Sequence, residues 1–322
     1  MSTSPVSLVL SGGGVRALAH VGAVTRLEQL GILGNVTHFA GASAGAGLAA
    51  LLAAGYNCEE LFRFMISLDY KSFIGHNPIK EGYDLVRKFG LHDNTKLQEA
   101  FEEGLTKKVG ANATFASLLE QTGKTLIIPA TNLTMARSDV FSPATTPDVP
   151  IKDALTLTTD IPLFFTAQKY AVEAHQAPCT YTDGGLLNNL PTDLVPQPSL
   201  AINLTAPPVA PQSTANLSDY LYTLLETLSS EVDSLKAKKG EVLSVNTGAI
   251  PATDFDLPLT KKVGLIKKGY DAAKHWSPPD MTVYPPVFPA YWSSFAMEQM
   301  RFSMLCDQKN NPDAQAGRCA IL

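Results

Sequence analysis

Cysteine is scarce in this sequence. Cys58, Cys179, Cys306 and Cys319 are scattered over 322 positions with no Cys-x-x-Cys pair. A structural zinc site or a disulfide framework needs closer or more numerous sulfurs, so the pattern fits a reducing compartment. Histidine is equally sparse, and His38, His76, His92 and His175 show no metal-ligand spacing. An excess of positive charge is also missing. The 25 Lys and Arg against 30 Asp and Glu leave a net charge of −5, which removes the basic surface expected of a nucleic-acid partner. The longest apolar run, residues 46–55, is about half of a membrane span, so no transmembrane helix is expected. Met1-Ser2-Thr3-Ser4-Pro5 has neither a basic nor an apolar leader region. No secretory signal is expected, and a cytoplasmic location follows. The Asn-x-Ser/Thr sites at Asn35, Asn112, Asn132, Asn203 and Asn216 then read as ordinary surface sequence.

Hydrophobic material is plentiful. At 45% hydrophobic and 17% charged residues, the chain can bury a sizeable core, which excludes a disordered chain or a coiled coil. The run Val6-Ser7-Leu8-Val9-Leu10 reads as a strand that breaks into Gly12-Gly13-Gly14. Over residues 17–30, Leu18, Val21, Val24, Leu27 and Leu30 recur at helical spacing until Gly31 stops them. A second strand over 36–40 also ends in glycine, and a helix over 44–54 follows directly. Residues 126–130, 199–204 and 242–246 read as further strands. Leu217 to Leu235 mark an amphipathic helix, and another helix covers about 259–275. Strands alternating with helices imply crossovers and a mostly parallel sheet covered on both faces.

Three glycine-rich turns carry the chemistry. Gly41-Ala42-Ser43-Ala44-Gly45 is Gly-x-Ser-x-Gly between an expected strand and an expected helix, the context a nucleophile elbow requires. Ser43 then lies at a helix N-terminus, where backbone N–H groups and the helix dipole favour developing negative charge. The plainer reading makes Ser43 an N-cap. Gly12-Gly13-Gly14-Val15-Arg16-Ala17 also satisfies Gly-x-Gly-x-x-Gly/Ala. A dinucleotide site wants a carboxylate about 20 positions on, and Phe39-Ala40-Gly41-Ala42-Ser43 offers none. A Walker loop is excluded by the lack of Gly-Lys-Ser/Thr. What remains is a row of backbone donors suited to an oxyanion hole, or a plain tight turn. The third turn, Asp183-Gly184-Gly185, sets a carboxylate where it can approach a hydroxyl closely, provided it faces the elbow.

Taken together, these turns resemble the patatin-like phospholipase family. The resemblance extends through Gly12 to Gly22, through residues 154–165 with Ile161-Pro162 and Phe164, and through Val245-Asn246-Thr247-Gly248 and Gly269-Tyr270-Asp271-Ala272-Ala273. It covers about residues 5–276. It implies a three-layer α/β/α fold with a mostly parallel central sheet, and a Ser–Asp dyad in place of a triad. Carried over by position, Ser43 is nucleophile and Asp183 general base. The amides of Gly12, Gly13 and Gly14 form the oxyanion hole with Arg16 supporting the loop, and Gly41, Gly45, Gly184 and Gly185 support the motifs. The substrate it implies is a phospholipid or other acyl lipid, cleaved as by a phospholipase A or lysophospholipase. Peripheral membrane contact is expected, with neither metal nor organic cofactor. Ala17 stands where the family usually has Gly, and Leu190 separates Asn189 from Pro191 where the family often has Asn-Asn-Pro.

Alternatives stand beside this reading. Ser43, Asp183 and His275 follow the chain order of an α/β-hydrolase triad, although only two strands precede Ser43. His275 otherwise reads as a helix C-terminal cap and His20 as a packed or locally bonded ring. A patatin-fold protein that binds lipid without hydrolysing it is the non-enzymatic alternative. Beyond residue 276, an appendage over 277–322 is rich in proline and aromatics. Tyr284, Phe288, Tyr291, Trp292 and Phe295 are expected to pack back on the core. Cys319-Ala320-Ile321-Leu322 matches the geranylgeranylation pattern, a signal that operates only in a eukaryotic cytosol.

Overall fold

The computed structural model describes residues 5–74, 87, 89–173, 175–206, 227–228, 232, 239–274, 288–292 and 294. The expected helix over Leu217 to Leu235 lies almost wholly outside them, as do His76, His275, Tyr284, Phe295, Cys306 and Cys319. The strands are β1 (Ser7–Leu10), β2 (His38–Gly41), β3 (Gly90–His92), β4 (Thr125–Asn132), β5 (Arg137–Phe141), β6 (Leu163–Phe165), β7 (Gln168–Tyr170), β8 (Cys179–Thr182), β9 (Ser199–Thr205) and β10 (Glu241–Asn246). The helices are α1 (Leu18–Gln29), α2 (Ala44–Ala53), α3 (Cys58–Ser67), α4 (Thr95–Val109), α5 (Phe115–Thr122), α6 (Ile151–Thr159), α7 (Gly185–Asn188) and α8 (Leu259–Ala273).

The main sheet runs β10-β9-β1-β2-β4-β8-β7, with β5 also paired to β4. From β10 to β4 every pairing is parallel, while β5, β8 and β7 join antiparallel. The mostly parallel, helix-covered sheet expected from the sequence is therefore present. The second strand begins two residues later than expected, because Val36 closes a 3-10 turn over Ile32–Asn35. The short antiparallel strands beyond β4 carry no long aliphatic run, which is why pattern alone does not announce them.

Parallel strands covered on both faces read as continuous apolar runs, and Leu8, Val9 and Leu10 are all fully buried. Successive side chains point to opposite faces. Leu8 and Leu10 belong to the large core with Leu18, Leu48, Leu126, Ile128, Leu200 and Ile202. Val9 and its register neighbours Ala40 and Ala201 face the other way, against Ile127, Leu190 and Val195. Leu190, the residue that interrupts the Asn-Asn-Pro pattern, is thus a core side chain on this second face.

Helices α1 and α8 cross at very short range. A Cβ on Gly22 would lie 1.8 Å from the Ile266 carbonyl oxygen, and one on Gly269 would lie 1.7 Å from that of Ala19. Each helix therefore needs its glycine for the other's backbone to approach. The described part of the appendage docks nearby. Trp292 is buried and stacks on Phe62 at 5.8 Å, and Phe288 lies 4.7 Å from Tyr270. Phe288, Tyr291 and Trp292 pack against the core, as expected of that stretch.

Candidate active site

Strand β2 delivers Ser43 at the carboxyl edge of the sheet, and α2 begins one residue later. Its backbone has φ 51° and ψ −132°, a conformation non-glycine residues rarely adopt and one that costs about 1–3 kcal/mol. The flanking glycines explain how so sharp a turn closes. A Cβ on Gly41 would lie 2.5 Å from the Gly45 carbonyl group, and one on Gly45 would lie 2.5 Å from the carbonyl oxygens of Leu10 and Ser11. The Ser43 side chain does not cap α2. Its Oγ–H instead donates to Asp183 Oδ2 at 2.5 Å, across 140 positions of sequence.

Asp183 follows β8 and is held by polar contacts. Its N–H donates to the Asp160 carbonyl at 2.9 Å. Its own carbonyl accepts from Thr131 Oγ1 at 2.9 Å, and its Oδ1 accepts the Gly185 N–H at 2.7 Å. Burial pushes the Asp183 carboxyl up to about 7, against the opposing pull of the donors from Ser43 and Gly185. Thr158 ties the two turns together. Its Oγ1 accepts the Ser43 N–H at 3.1 Å and donates to the Pro129 carbonyl at 2.7 Å, while its carbonyl accepts the Gly184 N–H at 3.2 Å.

The glycine turn after β1 lies beside the serine, with Gly12 so close that a Cβ there would sit 3.1 Å from that of Ser43. One amide of the expected donor row already has an acceptor in this structure. The Gly12 N–H already donates to the Asn189 carbonyl at 3.2 Å, which leaves Gly13 and Gly14 as the amides with no acceptor among the described residues. Arg16 is buried and braces the loop, its backbone N–H and Nε both directed at the Gly13 carbonyl, at 3.1 and 3.4 Å. Late segments of the chain fasten this turn. The Ser11 N–H donates to the Ile202 carbonyl at 3.1 Å, Ser11 Oγ accepts the Leu204 N–H at 2.9 Å, and the Val15 N–H donates to the Ala252 carbonyl at 2.9 Å.

His20 is fully buried with Nε2 at 2.8 Å from the Ser11 carbonyl. Burial lowers its pKa to about 4, so the ring is neutral and donates that bond. Among the described residues, the Asp183 carboxylate contacts Ser43 and Gly185 and no imidazole. The roles of Thr158, Thr131, Asn189 and Ala252 went unread in the sequence because they rest on hydrogen bonds between distant segments, which leave no local signal.

A pocket opens from Ser43 and Gly14, walled by Met65, Leu68, Phe73, Phe101, Phe165 and Phe255. Its lining is predominantly apolar.

The α/β sheet, the serine elbow at its carboxyl edge and the carboxylate on the facing turn define the class. The chain belongs to the patatin-like phospholipase family, whose model matches residues 8–196. It is 32% identical over 189 residues to a protein named probable lipid hydrolase 463L of Invertebrate iridescent virus 6, over 58% of this chain and 62% of that one. It is 27% identical over 285 residues to the uncharacterized protein R571 of Acanthamoeba polyphaga mimivirus, over 83% and 92%. Among solved structures, VipD from Legionella pneumophila shares the fold at a TM-score of 0.58 and 19% identity, over 84% of this chain and 66% of that one. The chain thus matches somewhat under two thirds of the iridescent-virus protein's length, and about two thirds of VipD's.

Proposed function

We propose that the protein is a lipid acyl hydrolase of the phospholipase A or lysophospholipase type, with Ser43 as nucleophile and Asp183 as general base. The observation that carries this reading is the Ser43 Oγ–H bond to Asp183 at 2.5 Å, at the mouth of an apolar pocket. Asp183 Oδ2 takes the hydroxyl proton as Ser43 Oγ forms a bond to the ester carbonyl carbon. The Gly13 and Gly14 amides and the start of α2 receive the oxyanion, each well-placed donor contributing about 2.7–4 kcal/mol by analogy with other oxyanion holes. As the carbonyl reforms, the C–O bond to the leaving alcohol breaks and Asp183 returns the proton to that oxygen. Water then attacks the acyl-enzyme, gives its proton to Asp183, and the fatty acid leaves as Ser43 recovers its hydrogen. A substrate resident in a bilayer brings the protein to a lipid surface. Residues 5–276 form the hydrolase domain in this reading, and prenylation at Cys319 is a separate proposal read by the mass of protein made in eukaryotic cells.

Intact-mass analysis after exposure to a fluorophosphonate tests the assignment. Wild type is expected to gain one adduct, Ser43→Ala none, and Asp183→Asn is expected to lose turnover of phospholipid and lysophospholipid vesicles while keeping its fold. Near-normal ester hydrolysis by Asp183→Asn would refute the dyad.

A further inference from the structure

Behind Asp183 lies a second carboxyl group that the proposed mechanism does not use. Asp160, between α6 and β6, is fully buried. Its backbone carbonyl accepts both the Asp183 N–H at 2.9 Å and Thr182 Oγ1 at 2.8 Å. The two residues that bring the chain into the aspartate turn therefore hang on one oxygen. The side chain is held from another direction. Asn94, buried at the start of α4, donates from Nδ2 to Asp160 Oδ1 at 2.5 Å and to the Thr156 carbonyl at 3.3 Å. Oδ2 is enclosed and has no hydrogen-bond partner among the described residues.

An ionised carboxylate in that position is physically expensive. A buried charge needs a counter-charge or a full set of donors, and Asp160 has one amide donor and no cation among the described residues. The charged group that faces it is Asp183, of the same sign; the contacts from α4 and α6 are a neutral amide and backbone. An enclosed carboxyl that feels a neighbouring charge of the same sign is held toward its neutral form. Donor count decides where the proton goes. Asp183 has the Ser43 hydroxyl and the Gly185 amide on its two oxygens, whereas among the described residues Asp160 has Asn94 on one and nothing on the other.

We propose that Asp160 is a positioning residue that carries a proton while Asp183 carries the charge. Its carbonyl fixes the aspartate turn, and its neutral carboxyl, held by Asn94, keeps the enclosed site at a single negative charge. Burial and the Asp183 charge both raise the Asp160 carboxyl well above the usual range, in the same direction. The inference rests on reading Ser43 and Asp183 as nucleophile and base.

Infrared spectra of the full chain at about pH 8 read the proton directly. A protonated-carboxyl C=O stretch is expected in wild type and in Asp183→Asn, and is expected to vanish in Asp160→Asn. A wild-type spectrum without that band overturns the proposal, whether or not the variants fold. Kinetics give the second arm. Asp160→Ala, which leaves Asn94 without its acceptor, is expected to lower kcat about tenfold at unchanged KM, and Asp160→Asn to recover most of that loss. The acid limb of the kcat/KM profile is expected to stay in place in Asp160→Asn, since a neutral amide replaces a neutral acid. A downward displacement of that limb by about one pH unit or more means that Asp160 was charged, and wild-type kcat in Asp160→Ala means that it positions nothing; either result rejects the idea. Fluorophosphonate labelling of wild type separates the two readings, because failed labelling counts against the dyad while the infrared band reports Asp160 alone.

Discussion

The serine turn and the aspartate turn meet at one hydrogen bond, yet they are built by opposite means. The serine turn is held by what is missing: Gly41 and Gly45 carry no side chain, so α2 can sit directly on the ends of β1 and β2. The aspartate turn is held by what is added: the carbonyls of Asp160 and Thr158 and the hydroxyl of Thr131, from two other segments, bond the main chain of Asp183 and Gly184. Steric exclusion needs particular residues at fixed spacing. Polar bracing accepts any well-aimed donor or acceptor, so its members are dispersed through the sequence. The first kind of construction tolerates no added atom, whereas the second loses its parts one bond at a time.

Substitutions in the two turns sharpen this contrast. The largest effect is expected from Gly45→Ala, whose new Cβ meets two backbone oxygens that cannot move without shifting β1. Displacing the nucleophile by that amount is expected to cost at least about a hundredfold in fluorophosphonate labelling rate, with a lowered Tm by circular dichroism. A labelling rate equal to wild type would show that the serine turn is not sterically set.

Charge on the aspartate turn comes next. With Asp183 at about 7, kcat/KM is expected to fall about tenfold per pH unit below that value as the base is protonated. Stability has the opposite sign. Because the folded value lies above the unfolded one, the folded state binds more protons, and that stabilisation is full below about pH 4 and lost as pH rises through about 7. Asp183→Asn removes the buried charge, so its Tm is expected to exceed that of wild type at alkaline pH, by on the order of 2–4 kcal/mol in unfolding free energy. Denaturant melts at about pH 5 and pH 9 check this, and an equal gap at both pH values would contradict it.

The smallest effect is expected from Thr158→Val, which keeps shape and removes the hydroxyl that joins Ser43 to Pro129. The unpaired Ser43 N–H is expected to cost about 1–3 kcal/mol. If kcat falls while KM holds, the threonine acts by aiming the serine; a change in Tm without a change in kcat would make it a purely structural brace.

The same contrast explains what the sequence discloses. Both glycine motifs and the Asp-Gly-Gly turn were legible because close backbone approach leaves few residue choices. The parallel core was legible because β1, β4 and β9 contain short aliphatic runs and β2 ends directly in the glycine-flanked serine turn. Thr158, Asp160 and Asn94 were not, since their roles exist only once α4, α6 and the sheet are assembled. Nor was the bond from the Gly12 amide to Asn189, because a single hydrogen bond across 177 positions leaves no trace in a local pattern. Gly22 and Gly269 could be read as resembling the family, but their mutual dependence appears only where α1 crosses α8.

One arrangement sets an order in time. The glycine turn is encoded near the start of the chain, but the bonds that fasten it come from Ile202, Leu204 and Ala252. During synthesis the serine, the glycines and the aspartate all leave the ribosome before Ala252 does. A nascent chain thus holds its reactive groups without the clasp that fixes the turn beside them. Emergence of the segment that ends at Ala252 is thus the step that completes the turn.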